Sequence, residues 1–328
     1  MTIPRIVTAD RGDTGRRLDL VLRRHLTDID TATRTRVQTW IEDGRVTVNG
    51  TIVRRVAVRA ALGDVVAVVL PDGLSPHVMT AEAVNLDVLY EDGHLLALDK
   101  PAGVVVHPGY RNTEGTLLNA VLWHARRWPA PQRPSIVGRL DKLTSGIVIV
   151  AKSAGVHAAL QRTMGSTDTR KDYLALVYGR LKEARGEIDL RLGRDPSDRR
   201  RVVASTRLGA PSLTRFERIA RVSAPRTGLA LVRCRIATGR THQIRVHLAA
   251  RGWPIVGDRV YGEPRWMQVV DPALAEVLRA FPRQALHAWR LAVAHPVTRE
   301  QLFLEAPVPR DLEGLLAAAN LRVPSCVV

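Results

Sequence analysis

Apolar positions follow a helical period at first and a strand period afterwards. "RRLDLVLRRHL" sets Leu18, Val21, Leu22 and His25 or Leu26 on one helical face. "TRTRVQTWIEDG" does the same with Val37, Trp40 and Ile41, and Gly44 stands where a helix ends. "RVTVNGTIV" is two short β-rich runs around Asn49-Gly50, a strong hairpin dipeptide, and "GDVVAVVLP" is a closing strand. Pro71, Gly73 and Pro76 then break the pattern. The expected organisation is an N-terminal tail (1–14), a compact α+β unit (15–71), a linker (72–80) and a larger domain (81–328).

The larger domain mixes its elements. "NLDVLYEDGHLLALDKPAG" is two strands around a turn, and "GTLLNAVLWHARRW" is a helix. "SIVGRLDKLTSGIVIVAKS" is strand, loop, strand, and "SAGVHAALQRTMG" is a helix opened by Ser153 and closed near Gly165. "RKDYLALVYG", apolar on both faces, belongs in the middle of a sheet. "TGRTHQIRVHLAARG" is a helix with Thr241 as its expected N-cap and Gly252 at its end. Without a regular βαβ alternation, the fold class is α+β with a mixed, largely antiparallel central sheet.

Charge narrows the partner. Among 328 residues, 49 Lys and Arg face 32 Asp and Glu, a formal charge of +17, which favours a polyanion, nucleic acid first. An Arg-preferring composition or mere solubility is the alternative source of that charge. Cys234 and Cys326 are too few and too far apart for a disulfide framework or a zinc cluster. The start, "MTIPRIVTADRGD", carries no apolar signal region, and the apolar runs are strand-sized, so a soluble, cytoplasmic protein without a membrane partner is expected.

Candidate chemistry centres on "VGRLDKLTSG". Asp141 lies in a loop between two apolar strands, with Arg139 and Lys142 beside it. Spacing leaves it two roles, a functional carboxylate on rigid supports or a turn residue bonding its own backbone. Arg-Leu-Asp also occurs at 17–19, where Asp19 reads as a solvated or capping charge in an amphipathic helix. "RLGRDPSDRRRVV" gathers Arg191, Arg194, Arg199, Arg200 and Arg201 around a turn, as a phosphate-binding loop or a solvated charge run. Arg34, Arg36 and Arg45 surround the Trp40 helix and hairpin, on an RNA-facing or ordinary charged surface. His242 and His247 read as helix-surface or packing residues. Taken by itself, Arg245 sits on the exposed face of its helix, and Tyr173 is a strand aromatic of the core.

Several of these phrases, in order, resemble one family. "GRLDKLTSGIVIVAKS" is similar to the central motif of RluA-type pseudouridine synthases, usually His-Arg-Leu-Asp followed by Thr-Ser-Gly. "LLALDKPAGVVVHPG", "RKDYLALVYG", "TGRTHQIRVHLAARGWPIVGDRVYG" and "ALHAWRLAVAHP" resemble its other motifs, and residues 15–71 resemble the S4-type RNA-binding module. The resemblance implies a pseudouridine synthase catalytic fold behind a small S4-like domain. It implies isomerisation of specific uridines in structured RNA, ribosomal RNA of the large subunit first and tRNA as an alternative, with DNA not expected. It implies Asp141 as the essential aspartate, Arg245 as its partner, Tyr173 packing on the target base, and Arg139 filling the space left by the flipped nucleotide. No cofactor and no metal are implied, since the reaction changes no oxidation state. Gly138 departs from the usual histidine, a change that bears on target choice. The alternative is a non-catalytic RNA-binding or ribosome-assembly protein; retention of Asp141, Tyr173 and Arg245 together argues against it.

Overall fold

The computed structural model describes residues 4–10, 13–26, 29, 32–71, 79–109, 112–166, 168–198, 201–222, 228–262 and 265–324. The chain divides into two compact units, Met1–Glu82 with Pro108–Glu114, and Ala83–His107 with Gly115–Val328.

The first unit contains β1 (Arg5–Thr8), α1 (Leu18–His25), α2 (Arg34–Glu42), β2 (Val46–Val48), β3 (Thr51–Ile52) and β4 (Val65–Val68), with sheet order β1-β4-β2-β3. Leu18, Leu22, Val37, Trp40 and Ile41 pack on Val46, Val66 and Val68, so both helices bury the faces their periodicity marks. Asn49 and Gly50 both take positive φ, 51° and 82°, as a tight two-residue hairpin requires. The expected N-terminal tail is corrected: Arg5–Thr8 pairs antiparallel with β4 and Val7 is buried, because this β-branched run completes the sheet edge. Residues 72–78 of the expected linker lie outside the described residues.

Asp19 is likewise corrected, being fully buried rather than solvated. It accepts hydrogen bonds from Arg17 Nε (3.0 Å), Arg34 Nε (3.1 Å) and Gln38 Nε2 (2.8 Å). Burial alone would raise its pKa, but these donors and the Arg17 charge hold it below the usual range. Asp19 therefore staples α1 to α2.

The second unit contains β5 (Val88–Glu91), β6 (Leu95–Lys100), α3 (Leu117–His124), β7 (Ser135–Val137), β8 (Ser145–Ala151), α4 (Ala154–Thr163), β9 (Arg170–Tyr178), β10 (Arg185–Asp189), β11 (Arg191–Arg194), β12 (Val202–Ser205), β13 (Leu213–Val222), β14 (Leu229–Ile236), α5 (Gln243–Ala250), α6 (Pro272–Ala280), β15 (Leu286–Ala294), β16 (Gln301–Glu305) and α7 (Arg310–Ala318). Its main sheet runs β10-β13-β14-β9-β15-β8-β6-β5, with β16 on β15 and β7 on β8. The β15–β8 pairing is parallel and the others are antiparallel. The β9 strand is central, between β14 and β15. Those two neighbours are less evident from pattern, because Arg233, Arg235 and Arg290 interrupt their apolar runs.

The α5 cap is corrected as well. His242, not Thr241, is the N-cap, in the left-handed region at φ 56° and without a side-chain cap bond. Gln243 does the local tying. Its Oε1 accepts from Thr238 Oγ1 and the Arg240 N–H, and its Nε2 donates to the Leu213 carbonyl.

One close approach fixes how the loop before β8 enters the sheet. Gly146 has φ 111° and lies opposite Ala288 in the parallel pair. A Cβ there would stand 2.2 Å from the Ala288 carbonyl oxygen. Gly146→Ala is therefore expected to destabilise the protein by about 3 kcal/mol or more, read by urea denaturation.

Candidate active site

The loop from Gly138 to Thr144 leaves β7 and re-enters the sheet at β8, held from several sides. Lys100 is fully buried, and its Nζ donates to the carbonyls of Pro101 (2.7 Å), Val104 (2.9 Å) and Lys142 (3.3 Å). Burial, helped by the Arg283 charge, pushes this ammonium down to about 8. The Gly103 N–H donates to the Lys142 carbonyl, and the Thr144 N–H to the Asp141 carbonyl. Gln284 Nε2 donates to Thr144 Oγ1 at 3.1 Å, and Ser145 Oγ lies 3.0 Å from His287 Nδ1. A loop clamped this way presents Asp141 at the sheet from a fixed backbone.

Opposite it, α5 is buried nearly all round, from Gln243 to Leu248. Arg245 is only 5% exposed, which corrects the exposed-face placement. A buried guanidinium needs compensating acceptors, and this one has two carboxylates. Arg245 Nη1 donates to Asp141 Oδ2 at 2.9 Å. Its Nε and Nη2 donate to Asp258 Oδ2 and Oδ1 at 2.6 and 2.9 Å. Burial would lower the guanidinium's pKa, but the Asp258 and Asp141 bonds and charges raise it above its ordinary value. Burial would raise Asp258, and the Arg245 bonds hold it down. The N–H groups of Val260 and Tyr261 also donate to Asp258 Oδ1, so this acid sits in a fixed turn.

Two adjoining recesses share Arg139, Leu140, Tyr173, Ile236, Gly239 and Arg240. The larger, about 650 Å³, lies over β8 and β9 and is lined by Asp172, which is ion-paired with Arg235. The narrower one adds Asp141, Thr144, His242 and Arg245. The larger volume falls in the range of small-ligand sites. Tyr173 is half-buried between two apolar clusters, opposite Cys234 and Ala288. Burial, reinforced by the Asp141 charge, pushes its phenol far above the ordinary value.

The structure thus brings Asp141, Arg245, Tyr173 and exposed Arg139 to one cleft. Arg194 and Arg201 do not line these recesses but are exposed at the ends of the β11–β12 hairpin, with the Arg201 guanidinium 5.8 Å from the Tyr261 ring, whereas Arg199 and Arg200 lie outside the described residues. In the first unit Arg36 and Arg45 are exposed, and Arg34 is committed to Asp19. His247 is fully buried against Thr214 and Ser212. His242 corrects the bland placement: its Nδ1 is 2.8 Å from Tyr261 Oη and its Nε2 3.8 Å from Asp141 Oδ1. Asp258, Tyr261 and Lys100 escaped the sequence reading. Their signal lay in "IVGDRVYG" and "LALDKPAG", an acid closing a turn and a lysine ending an apolar strand. Gly138, at the rim, has φ 83°, and an added Cβ would meet nothing within 4 Å. The position favours glycine through its backbone, not through crowding.

Comparison with known proteins places the chain in a family. Residues 94–250 match the RNA pseudouridylate synthase family and residues 16–66 the S4 domain. The chain is 41% identical to the ribosomal large subunit pseudouridine synthase D of Nitrosomonas europaea over 285 residues, 87% of this chain and 80% of that protein. It is 41% identical to the protein of the same name from Xylella fastidiosa over 317 residues, 96% and 92% of the two chains. The solved structure of human RNA pseudouridylate synthase domain containing 1 aligns with a TM-score of 0.55 at 26% identity, covering 72% of this chain and 89% of that one. The fold and cleft define an RNA-modifying isomerase, and the chain belongs to the RNA pseudouridylate synthase family. It carries an S4 RNA-binding domain ahead of the catalytic part and converts uridine to pseudouridine in RNA.

Replacing Arg245 by lysine keeps one charge but cannot span three carboxylate oxygens. Arg245→Lys is expected to destabilise the fold by about 2–4 kcal/mol in urea unfolding, because Asp258 stays buried without its fork.

Proposed function

We propose that the chain isomerises specific uridines of large-subunit ribosomal RNA in the cytoplasm, with Asp141 as the essential carboxylate. The observation that carries the residue assignment is the Asp141–Arg245 pair, backed by buried Asp258, lining a cleft that also holds Tyr173. The relatives' names supply the ribosomal substrate. Among the described residues no helix is long and apolar enough to cross a membrane.

The reaction breaks the C1′–N1 bond of uridine, turns the base and joins C1′ to C5. The proton on C5 leaves and N1 gains one, so the product is an isomer and no electrons are transferred. Asp141 acts near C1′ and the 2′ position, either adding to the sugar or removing a proton on the way to a glycal. Both routes use an ionised oxygen. Arg245 occupies Oδ2, which leaves Oδ1 on the His242 side for chemistry. Tyr173 stays a neutral phenol and offers the target base a ring face, which recovers roughly 1–3 kcal/mol of the stacking lost on flipping. Arg139 stands at the rim, where it fills the vacated stack. Exposed Arg194 and Arg201, with Arg199 and Arg200 between them in sequence, meet phosphates. In the S4 unit, taken as residues 15–71 with β1 (Arg5–Thr8) completing its sheet, ahead of a linker (72–80) and the catalytic domain (81–328), Arg36 and Arg45 take that role. Arg34 contributes through whichever guanidinium nitrogens Asp19 leaves free.

The test uses large-subunit ribosomal RNA transcripts carrying tritium at uracil C5. The native protein is expected to release label, and Asp141→Asn to slow release by about a thousandfold or more with RNA affinity unchanged. Label release by Asp141→Asn at the native rate removes Asp141 from the chemistry. No release by the native protein removes this RNA as substrate.

A further inference from the structure

His242 adopts φ 56°, a conformation strained for a non-glycine residue, and makes no capping bond in return. Its side chain instead bridges two groups. Tyr261 Oη accepts the Val202 N–H at 2.8 Å and lies 2.8 Å from His242 Nδ1. With one lone pair used by Val202, the phenol can give its own proton to Nδ1. The imidazole proton then sits on Nε2, 3.8 Å from Asp141 Oδ1. The opposite tautomer would set a nitrogen lone pair against a carboxylate. Burial lowers the ring's pKa most, and against the opposing pull of Asp141 and Asp258 the charges of Arg245 and Arg139 add to that lowering.

Tyr261 is itself tied on three sides. Its backbone N–H is bound by Asp258, its ring lies 5.0 Å from the Arg245 guanidinium, and its hydroxyl holds the first residue of β12. Val202 pairs with Arg194 across the hairpin, next to Arg201. The same hydroxyl that orients His242 is thus bonded to the backbone of the basic hairpin.

We propose that His242 and Tyr261 are a positioning pair for Asp141, in which Tyr261, anchored on the β11–β12 hairpin, aims the imidazole Nε2–H at Oδ1. Arg245 fixes one carboxylate oxygen and His242 limits the swing of the other. This rests on Asp141 being the essential carboxylate, as proposed above.

The experiment measures single-turnover tritium release and RNA affinity for the full chain and for Asp141→Asn, Tyr261→Phe, His242→Ala and His242→Gln, with thermal unfolding as the folding control. Tyr261→Phe keeps the ring against Arg245 and removes only the hydroxyl. It is expected to slow the chemical step by about 10- to 100-fold while Kd for RNA stays within about twofold. His242→Ala should be at least as slow. His242→Gln retains an N–H at the reach of Nε2 and should recover about tenfold of that loss, which a merely structural role would not allow. Equal rates for the Gln and Ala variants, a native rate in Tyr261→Phe, or a loss confined to Kd each overturns the positioning pair. If Tyr261→Phe fails to fold, the Gln-against-Ala comparison still decides. An inactive native protein, or an active Asp141→Asn, overturns the underlying assignment instead, so the two failures are distinguishable.

Discussion

A guanidinium buried in the middle of a helix governs this site. Arg245 cannot be left inside the protein without acceptors, and the fold gives it two carboxylates, Asp258 thirteen positions on and Asp141 from a distant loop. Asp258 takes the fork of two parallel hydrogen bonds, and Asp141 receives the remaining one. The consequence is an asymmetry between the acids. Asp258 is 4% exposed and saturated by Arg245 and two backbone N–H groups, whereas Asp141 is only half-buried and keeps one oxygen open to the cleft. The structural acid neutralises the cation, and the other is held by a charge it does not have to satisfy alone.

The surrounding sheet makes that arrangement rigid. The Asp141 loop returns into β8 through a glycine pressed on the β15 backbone, and Lys100 binds three carbonyls beneath it. The central strand β9 brings Tyr173 to the same cleft from the third direction. Each side chain therefore comes from a different element, and none depends on a long mobile side chain for its position. The β11–β12 hairpin and the S4 unit each present arginines to solvent, as suits contacts with a phosphate backbone.

Much of this was legible from residue order. Helical and strand periods located α1, α2, the Asn49-Gly50 hairpin, α4 and the centrality of β9. The run of motifs brought Asp141, Tyr173, Arg139 and Arg245 forward as a set. Periodicity failed where burial is not one-sided. The α5 helix is enclosed on every face, so "HQIRVH" gave no sign that its arginine points inward. The β14 and β15 strands carry arginines that satisfy themselves across strands, and these broke the apolar run. Asp19 was misplaced for the same reason: its partners Arg34 and Gln38 stand on a different helix, and local pattern carries no information about them.

By itself the sequence determined the α+β class, the basic character and the family. These follow from short-range periods, composition and motif order, all of which are local quantities. Only the tertiary structure decided which charges meet. Asp141 and Arg245 are separated by 104 positions, and what joins them is the free-energy cost of burying an unpaired guanidinium, a condition set by the packing around α5. The same holds for His242, whose ring lies 2.8 Å from Tyr261 Oη and 3.8 Å from Asp141 Oδ1, neighbours that no local period announces.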